Sequence, residues 1–221
     1  MTDALIFDID GTLLDSVDLH AEAWGETFRH FGYDIPVQKI RSQIGKGGDQ
    51  LLPALLGKQE TDKNGKQLEE FRSELFKKKY LPRVKAFAGV RPLFKKALER
   101  RKKLALASSA KGDELKRYEE IAGIDDLVEV ETSSADAEKS KPHPDILEAA
   151  LARLGKGIDP ERVIVIGDSP YDAEAGKRSG LKVVGVRCGG FAEQELRAAG
   201  CIAIYDGPED LCARFDTSPL A

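Results

Sequence analysis

The chain has 221 residues, 41% of them hydrophobic and 33% charged, with a net charge of −4. That is enough for a sizeable core under a solvated surface, as one large domain or one domain carrying an insertion. The charge balance gives no general reason to bind nucleic acid or an anionic membrane, and no apolar run approaches the roughly 20 residues of a bilayer span.

The first element is Leu5-Ile6-Phe7, which runs straight into Asp8, with Asp10, Gly11, Thr12 and Asp15 behind it. Its continuous apolar character predicts a strand buried on both faces. Roughly 90 residues separate it from the next strand, too many for a single crossover helix. Val17, Ala21, Trp24, Phe28 and Phe31 follow helical spacing, with Asp15 or Ser16 as N-cap. Leu51, Leu52, Leu55 and Leu56 mark another helix, and Leu68, Phe71 and Leu75 a third; the polar stretch 57–66 reads as a loop. Residues 16–85 are therefore expected to form a helical insert, with 1–15 and 86–221 as the sheet-bearing core.

From about residue 90, strand and helix alternate. Strands are expected at Leu104–Ala107, Val163–Ile166 and Val183–Val186, with weaker ones at Leu127-Val128 and Ile202–Ile204. Helical faces run through Leu115, Tyr118 and Ile121-Ala122, and through Ile146, Leu147, Ala150, Leu151 and Leu154. The pattern predicts an α/β fold, a Rossmann-like parallel sheet with an inserted α-helical unit. Cys188, Cys201 and Cys212 are odd in number and lack zinc-ligand spacing. With no basic-then-apolar leader, they suggest reduced thiols and a cytoplasmic location.

In an open parallel sheet, ligands collect at the carboxyl ends of the strands. The first strand ends at Asp8, the second at Ser108-Ser109 and the strand at 163–166 at Gly167-Asp168-Ser169, with Asp172 one turn later. Lys141 lies in the loop "SKPHPD". Taken singly, Ser108 reads as a helix cap, Lys141 as a surface charge, and Asp168 and Asp172 as a cap and a solvated helix acid. Together they have chemical sense. Clustered acids repel and suit Mg²⁺, and a metal and a lysine that neutralise a phosphate let a carboxylate attack it. A hydroxyl and backbone N–H groups hold the remaining oxygens, and a second acid serves the leaving oxygen.

"DIDGT" (8–12), Ser108, Lys141 and "GDSPYD" (167–172) resemble, in order, the four motifs of the haloacid dehalogenase superfamily. The insert between the first and second motifs resembles the helical cap of the subfamily that includes phosphoglycolate phosphatase and beta-phosphoglucomutase. The resemblance implies Asp8 as nucleophile and Mg²⁺ ligand. It implies Asp10 as general acid and base, its backbone carbonyl also binding Mg²⁺. Ser108 and Lys141 would hold the transferring phosphoryl group, with Ser109 beside it, and Asp168 would bind Mg²⁺. Asp172 is left open, a contact through water being one option. Asp10 argues against dehalogenase and phosphonoacetaldehyde hydrolase chemistry, and Thr12 favours hydrolysis over mutase activity.

"HAEAW" (20–24) resembles the first cap helix of sugar-phosphate members, although His20, flanking the apolar face, reads at least equally as a partly packed core residue, and Trp24, near the centre of that face, reads more readily as core. "RSQIGKGGDQLL" (41–52) resembles the cap loop that enters the active site. In it Gly47 allows close approach, and Lys46 or Arg41 could meet a second anionic group. It lacks the spacing of a phosphate-binding Walker loop. The expectation is a Mg²⁺-dependent phosphatase of a small phosphorylated metabolite, monomeric or weakly dimeric. A sugar-phosphate mutase is the alternative, and a non-catalytic binding protein a third reading.

Overall fold

The computed structural model describes residues 2–155 and 157–221. The chain opens with β1 (Ala4–Phe7) and a short strand β2 (Leu14–Asp15). It then forms four helices, α1 (Val17–His30), α2 (Val37–Arg41), α3 (Gly48–Leu56) and α4 (Lys58–Leu75). A wider π-helical turn, Phe76–Tyr80, and a tighter 3-10 turn, Leu81–Arg83, lead to β3 (Lys85–Ala86), which pairs antiparallel with β2. The chain thus enters and leaves the helical segment through one two-stranded ribbon.

The rest alternates: α5 (Val90–Glu99), β4 (Lys103–Ala107), α6 (Gly112–Ala122), β5 (Val130–Thr132), α7 (Asp145–Leu154), β6 (Val163–Gly167) and α8 (Pro170–Arg178). It ends with β7 (Lys182–Val186), α9 (Glu193–Ala199), β8 (Ala203–Tyr205) and α10 (Pro208–Ala213). The main sheet has the order β5-β4-β1-β6-β7-β8, every neighbouring pair parallel. The chain builds outward from β1 through β4 to β5, then returns to lay β6 on the other side of β1. The order therefore reverses between β1 and β6, where such folds open a crevice at the strand ends.

Both faces of the sheet are covered, as the unbroken apolar runs require. Leu5, Phe7, Leu104, Leu106, Ile164 and Ile166 pack with α5 and α6, while Ala4, Ile6, Ala105, Val163 and Val165 pack with α7 and α8. A third cluster joins Val17, Trp24, Phe28, Ile40, Leu52 and Leu68 within the helical segment. The opposite side of α1, at Ala23, joins the sheet cluster with Phe76 and Tyr80.

Three local expectations are corrected. Residues 58–66 are not a loop but the first half of α4. Their Lys, Gln and Glu residues are good helix formers, and this exposed half needs only Gly65 buried. The strand expected at Leu127-Val128 lies at Val130–Thr132, opposite Ala105–Ala107. Because β5 is an edge strand it can be polar, and the two apolar residues instead pack partly buried against the core. The last strand is shifted by one residue, which leaves Ile202 exposed.

Candidate active site

Asp8 follows β1, Ser108 follows β4 and Asp168 follows β6, so these residues meet at the reversal point. Gly11 lets the chain turn away from Asp10. Its φ is +83°, and a Cβ there would lie 2.6 Å from both Asp168 Cγ and Val17 Cγ2. Thr12, fully buried, places its hydroxyl 3.0 Å from Asp8 Oδ2 and 3.2 Å from Asp168 Oδ1. Cys188 Sγ is 3.2 Å from Gly11 O beneath this turn, and burial pushes its thiol up to about 12, so it is a packing group and not a nucleophile.

Lys141 is buried and spans the site. Its ammonium donates to Asp8 Oδ1 and to Ala107 O (3.2 Å) and lies 2.8 Å from Asp172 Oδ1. Asp172 Oδ2 accepts from the Ser169 N–H (3.1 Å) and Oγ (2.6 Å), closing a capping box on α8. Both Asp172 oxygens are thereby engaged, so this residue orients Lys141. That partnership between residues 31 positions apart was left open in the sequence.

Asp8, Asp168 and Asp172 bring carboxylate oxygens within 4.8 Å of one another. Burial pushes the Asp8 carboxyl up to about 7, against the pull of Lys141 and with Asp172 adding to the rise. Burial, then Asp172 and Asp8, raise Asp168 well above the ordinary carboxylate range. Burial alone would lower Lys141, but Asp172 and Asp8 more than offset it and hold the ammonium above the usual lysine range. Ionised together, three carboxylates facing one ammonium would leave two negative charges in a buried crevice. A hard dication with oxygen ligands fits that set.

Asp10 faces away from this cluster, toward the helical segment. Its Oδ1 accepts from Ser16 Oγ (2.6 Å) and lies 2.8 Å from His20 Nε2. Ser16 stands at the start of α1, but its hydroxyl serves Asp10 and not the helix. His20 Nδ1 meets the Arg72 guanidinium, which can only donate, so Nδ1 accepts and Nε2 carries the proton donated to Asp10. Burial opposes ionisation of Asp10, yet His20 and Ser16 hold its carboxyl below the usual carboxylate range. His20 is stacked on Phe76, ring centroids 4.1 Å apart, and Tyr118 Oη lies 3.3 Å from its Nε2.

Ser108 is buried, and its Oγ accepts the Ala110 N–H at 3.1 Å, leaving its own proton to donate. Ser109, more exposed, lines the mouth of the site. Lys46 lines the same small opening as Asp8 and Asp10, with Nζ 2.6 Å from Gln43 Oε1 and 4.5 Å from the Tyr171 ring centroid. Arg41 is drawn elsewhere, to Asp18 (2.5 Å) and Gly189 O (3.0 Å). The Gly47 N–H is taken by Ser140 Oγ at 3.0 Å.

A cavity of about 310 Å³ opens beside Asp10 and Lys141, walled by Trp24, Asp49, Glu69, Arg72, Lys111 and Glu114. Arg72 was missed in the sequence. It stands at i+4 from Leu68 and i−4 from Phe76, so a charge inside an apolar stripe was the available signal. Its guanidinium lies 4.9 Å from the Phe76 ring and 5.6 Å from the Trp24 ring.

The family profile of haloacid dehalogenase-like hydrolases matches residues 5–186. A phosphoglycolate phosphatase of Aquifex aeolicus is 30% identical over 183 residues, 80% of this chain and 81% of that protein. A phosphatase of phosphorylated carbohydrates from Thermotoga maritima is 28% identical over 213 residues, 95% and 96% of the two chains. The crystal structure of a hydrolase from Pseudomonas syringae superposes with a TM-score of 0.90 at 27% identity, covering 98% of this chain and 99% of that one. With its acids and lysine gathered at the strand ends, and its sequence matched from the first strand through the seventh, the chain belongs to the haloacid dehalogenase-like hydrolases.

Proposed function

We propose that this enzyme is a Mg²⁺-dependent phosphatase that hydrolyses a small phosphorylated metabolite through an aspartyl-phosphate on Asp8, with residues 16–85 acting as a cap. The observation that carries the reading is the division of labour between two nearby acids. Asp8 is paired with Lys141 in the metal-suited cluster, whereas Asp10, two residues on, is steered by Ser16 and His20 toward the leaving-group cavity.

In the first step an Asp8 carboxylate oxygen attacks phosphorus and the ester P–O bond breaks. Asp10, in its acid form, gives a proton to the departing oxygen. In the second step Asp10 takes a proton from water, the water oxygen attacks phosphorus, and the acyl-phosphate bond breaks to release phosphate and restore Asp8. Lys141, Ser108 and nearby backbone N–H groups hold the phosphoryl oxygens. Asp8, Asp168 and the Asp10 backbone carbonyl would hold Mg²⁺, which supplies positive charge to those oxygens. The low-lying Asp10 is poised as the base of the second step; a substrate that draws His20 away would favour its acid form.

The cavity mixes carboxylates, Arg72 and Lys111 around Trp24, a wall suited to a polyhydroxylated leaving group. The relatives named for phosphorylated carbohydrates and phosphoglycolate support the phosphatase reading. Phosphate release from a panel of sugar phosphates and phosphoglycolate with Mg²⁺ tests it. Isomerisation of beta-glucose 1-phosphate without phosphate release would favour the mutase alternative, and no turnover of any ester would remove the phosphatase.

A further inference from the structure

Ser140 immediately precedes Lys141 and belongs to the sheet side of the molecule, yet its polar groups are bound from the helical segment. Its N–H donates to Asp49 Oδ2 at 3.1 Å and its hydroxyl donates to Asp49 Oδ1, while its Oγ accepts from the Gly47 N–H at 3.0 Å. Asp49 lies in the first turn of α3, where the helix dipole favours a carboxylate. Gly47 lets the two backbones approach: a Cβ there would come within 2.6 Å of Ser140 Cβ. Elsewhere the segment reaches across through ties that do not adjoin Lys141, such as Arg41 to Gly189 O and Tyr171 to Ser42 O. On the other side of Ser140, the chain has little time to relax before the buried ammonium that bridges Asp8 and Asp172.

We propose that Asp49 is a positioning residue which clamps Ser140 when the helical cap is seated and thereby sets the Lys141 ammonium against Asp8, so that cap closure and charge neutralisation at the nucleophile are one event. The proposal rests on the phosphatase reading of Asp8 and Lys141. When the cap lifts, Ser140 loses the bonds from Asp49 and Gly47 together. The loop 137–144 then holds Lys141 through its remaining bonds alone, such as Lys139 N–H to Asp145 (2.9 Å) and His143 N–H to Ser140 O (3.1 Å). A misplaced ammonium weakens neutralisation of the phosphoryl oxygens in the transition state more than it weakens ground-state binding.

The experiment is a double-mutant cycle on the full chain with p-nitrophenyl phosphate and Mg²⁺. Asp49→Ala is expected to lower kcat on the order of tenfold, as sub-ångström misplacement of a reacting group does, with KM little changed. In a Lys141→Met background it should lower kcat no further, because the group it positions is gone. Hydrogen exchange should quicken at the amides of 137–144 in Asp49→Ala, an effect that a residue contacting only substrate would not produce. Asp49→Asn keeps one acceptor and should restore part of the rate. If Asp49→Ala does not fold, Ser140→Ala carries the same cycle, with a smaller loss. Wild-type kcat in the folded variant, or the full loss repeated on top of Lys141→Met, overturns the proposal. Wild-type turnover in Lys141→Met alone would instead overturn the reading of the site on which it rests.

Discussion

The crowding of Asp8, Asp168 and Asp172 around one lysine makes metal removal a stability experiment. In the folded, metal-free protein the Asp8 carboxyl sits at about 7 against an ordinary 3.8. Between those values the folded state holds more protons than the unfolded one, so stability falls as pH rises from about 4 to about 7. That rise of roughly three units corresponds to a penalty on the order of 4 kcal/mol for ionised Asp8, and Asp168 shifts in the same direction. A cation that binds only the folded, ionised cluster reverses the effect, by about 2.7 kcal/mol at a hundred times its Kd. For a chain of this size that is roughly 5–11 °C in Tm. Thermal unfolding in EDTA and in excess Mg²⁺, from pH 5 to pH 8, should show a Mg²⁺ increment that grows with pH. Asp168→Asn removes one crowded charge and one donor together. It should melt higher than wild type in EDTA and lose the Mg²⁺ increment. No increment in wild type at pH 7.5, or an equal one in Asp168→Asn, would refute the reasoning.

Asp10→Asn should release p-nitrophenol from p-nitrophenyl phosphate in a single burst and then stall, since that leaving group needs no proton but the acyl-phosphate needs a base; rapid-mixing absorbance reads the burst. His20→Ala removes the donor that keeps Asp10 low, so the Asp10 limb in the pH profile of kcat/KM for a sugar phosphate should move to higher pH. Asp172→Asn turns an amide toward the buried Lys141, and kcat should fall at least tenfold, roughly 1.4 kcal/mol of transition-state stabilisation, with little change in KM. Leu68→Ala empties a fully buried position among Trp24, Phe28 and Leu52. Chemical denaturation should report a loss of about 2–5 kcal/mol.

The sheet was legible because strands covered on both faces must be apolar throughout, and Leu5–Phe7, Leu104–Ala107 and Val163–Ile166 are. Asp8, Ser108 and Asp168 were legible for a related reason, since polar groups that end such strands stand at a shared edge; Lys141, in a loop, was singled out only by its place among the four family motifs. β5 was misplaced because an edge strand need not be continuously apolar, so Val130-Glu131-Thr132 carries no such mark. The first half of α4 was hidden by the same logic applied to a helix, its exposed turns showing only polar residues. Asp49 and Ser140 lie 91 positions apart, and no local period links them. Arg72 and Tyr118 converge on His20 from α4 and α6; each stands within the apolar stripe of its helix, but nothing in the stripes pairs either residue with His20. Partnerships of this kind come from how helices dock, which depends on the packed shape of residues distributed over the whole chain.

The most direct test of the central claim is to trap the covalent intermediate. Asp10→Asn should be mixed with a reactive phosphate ester and Mg²⁺, quenched in acid and digested for peptide mass spectrometry. The mechanism predicts one acyl-linked phosphoryl group, on Asp8, and none when Asp8→Asn is added. Phosphate on another residue, or undiminished steady-state turnover in Asp8→Asn, would contradict it.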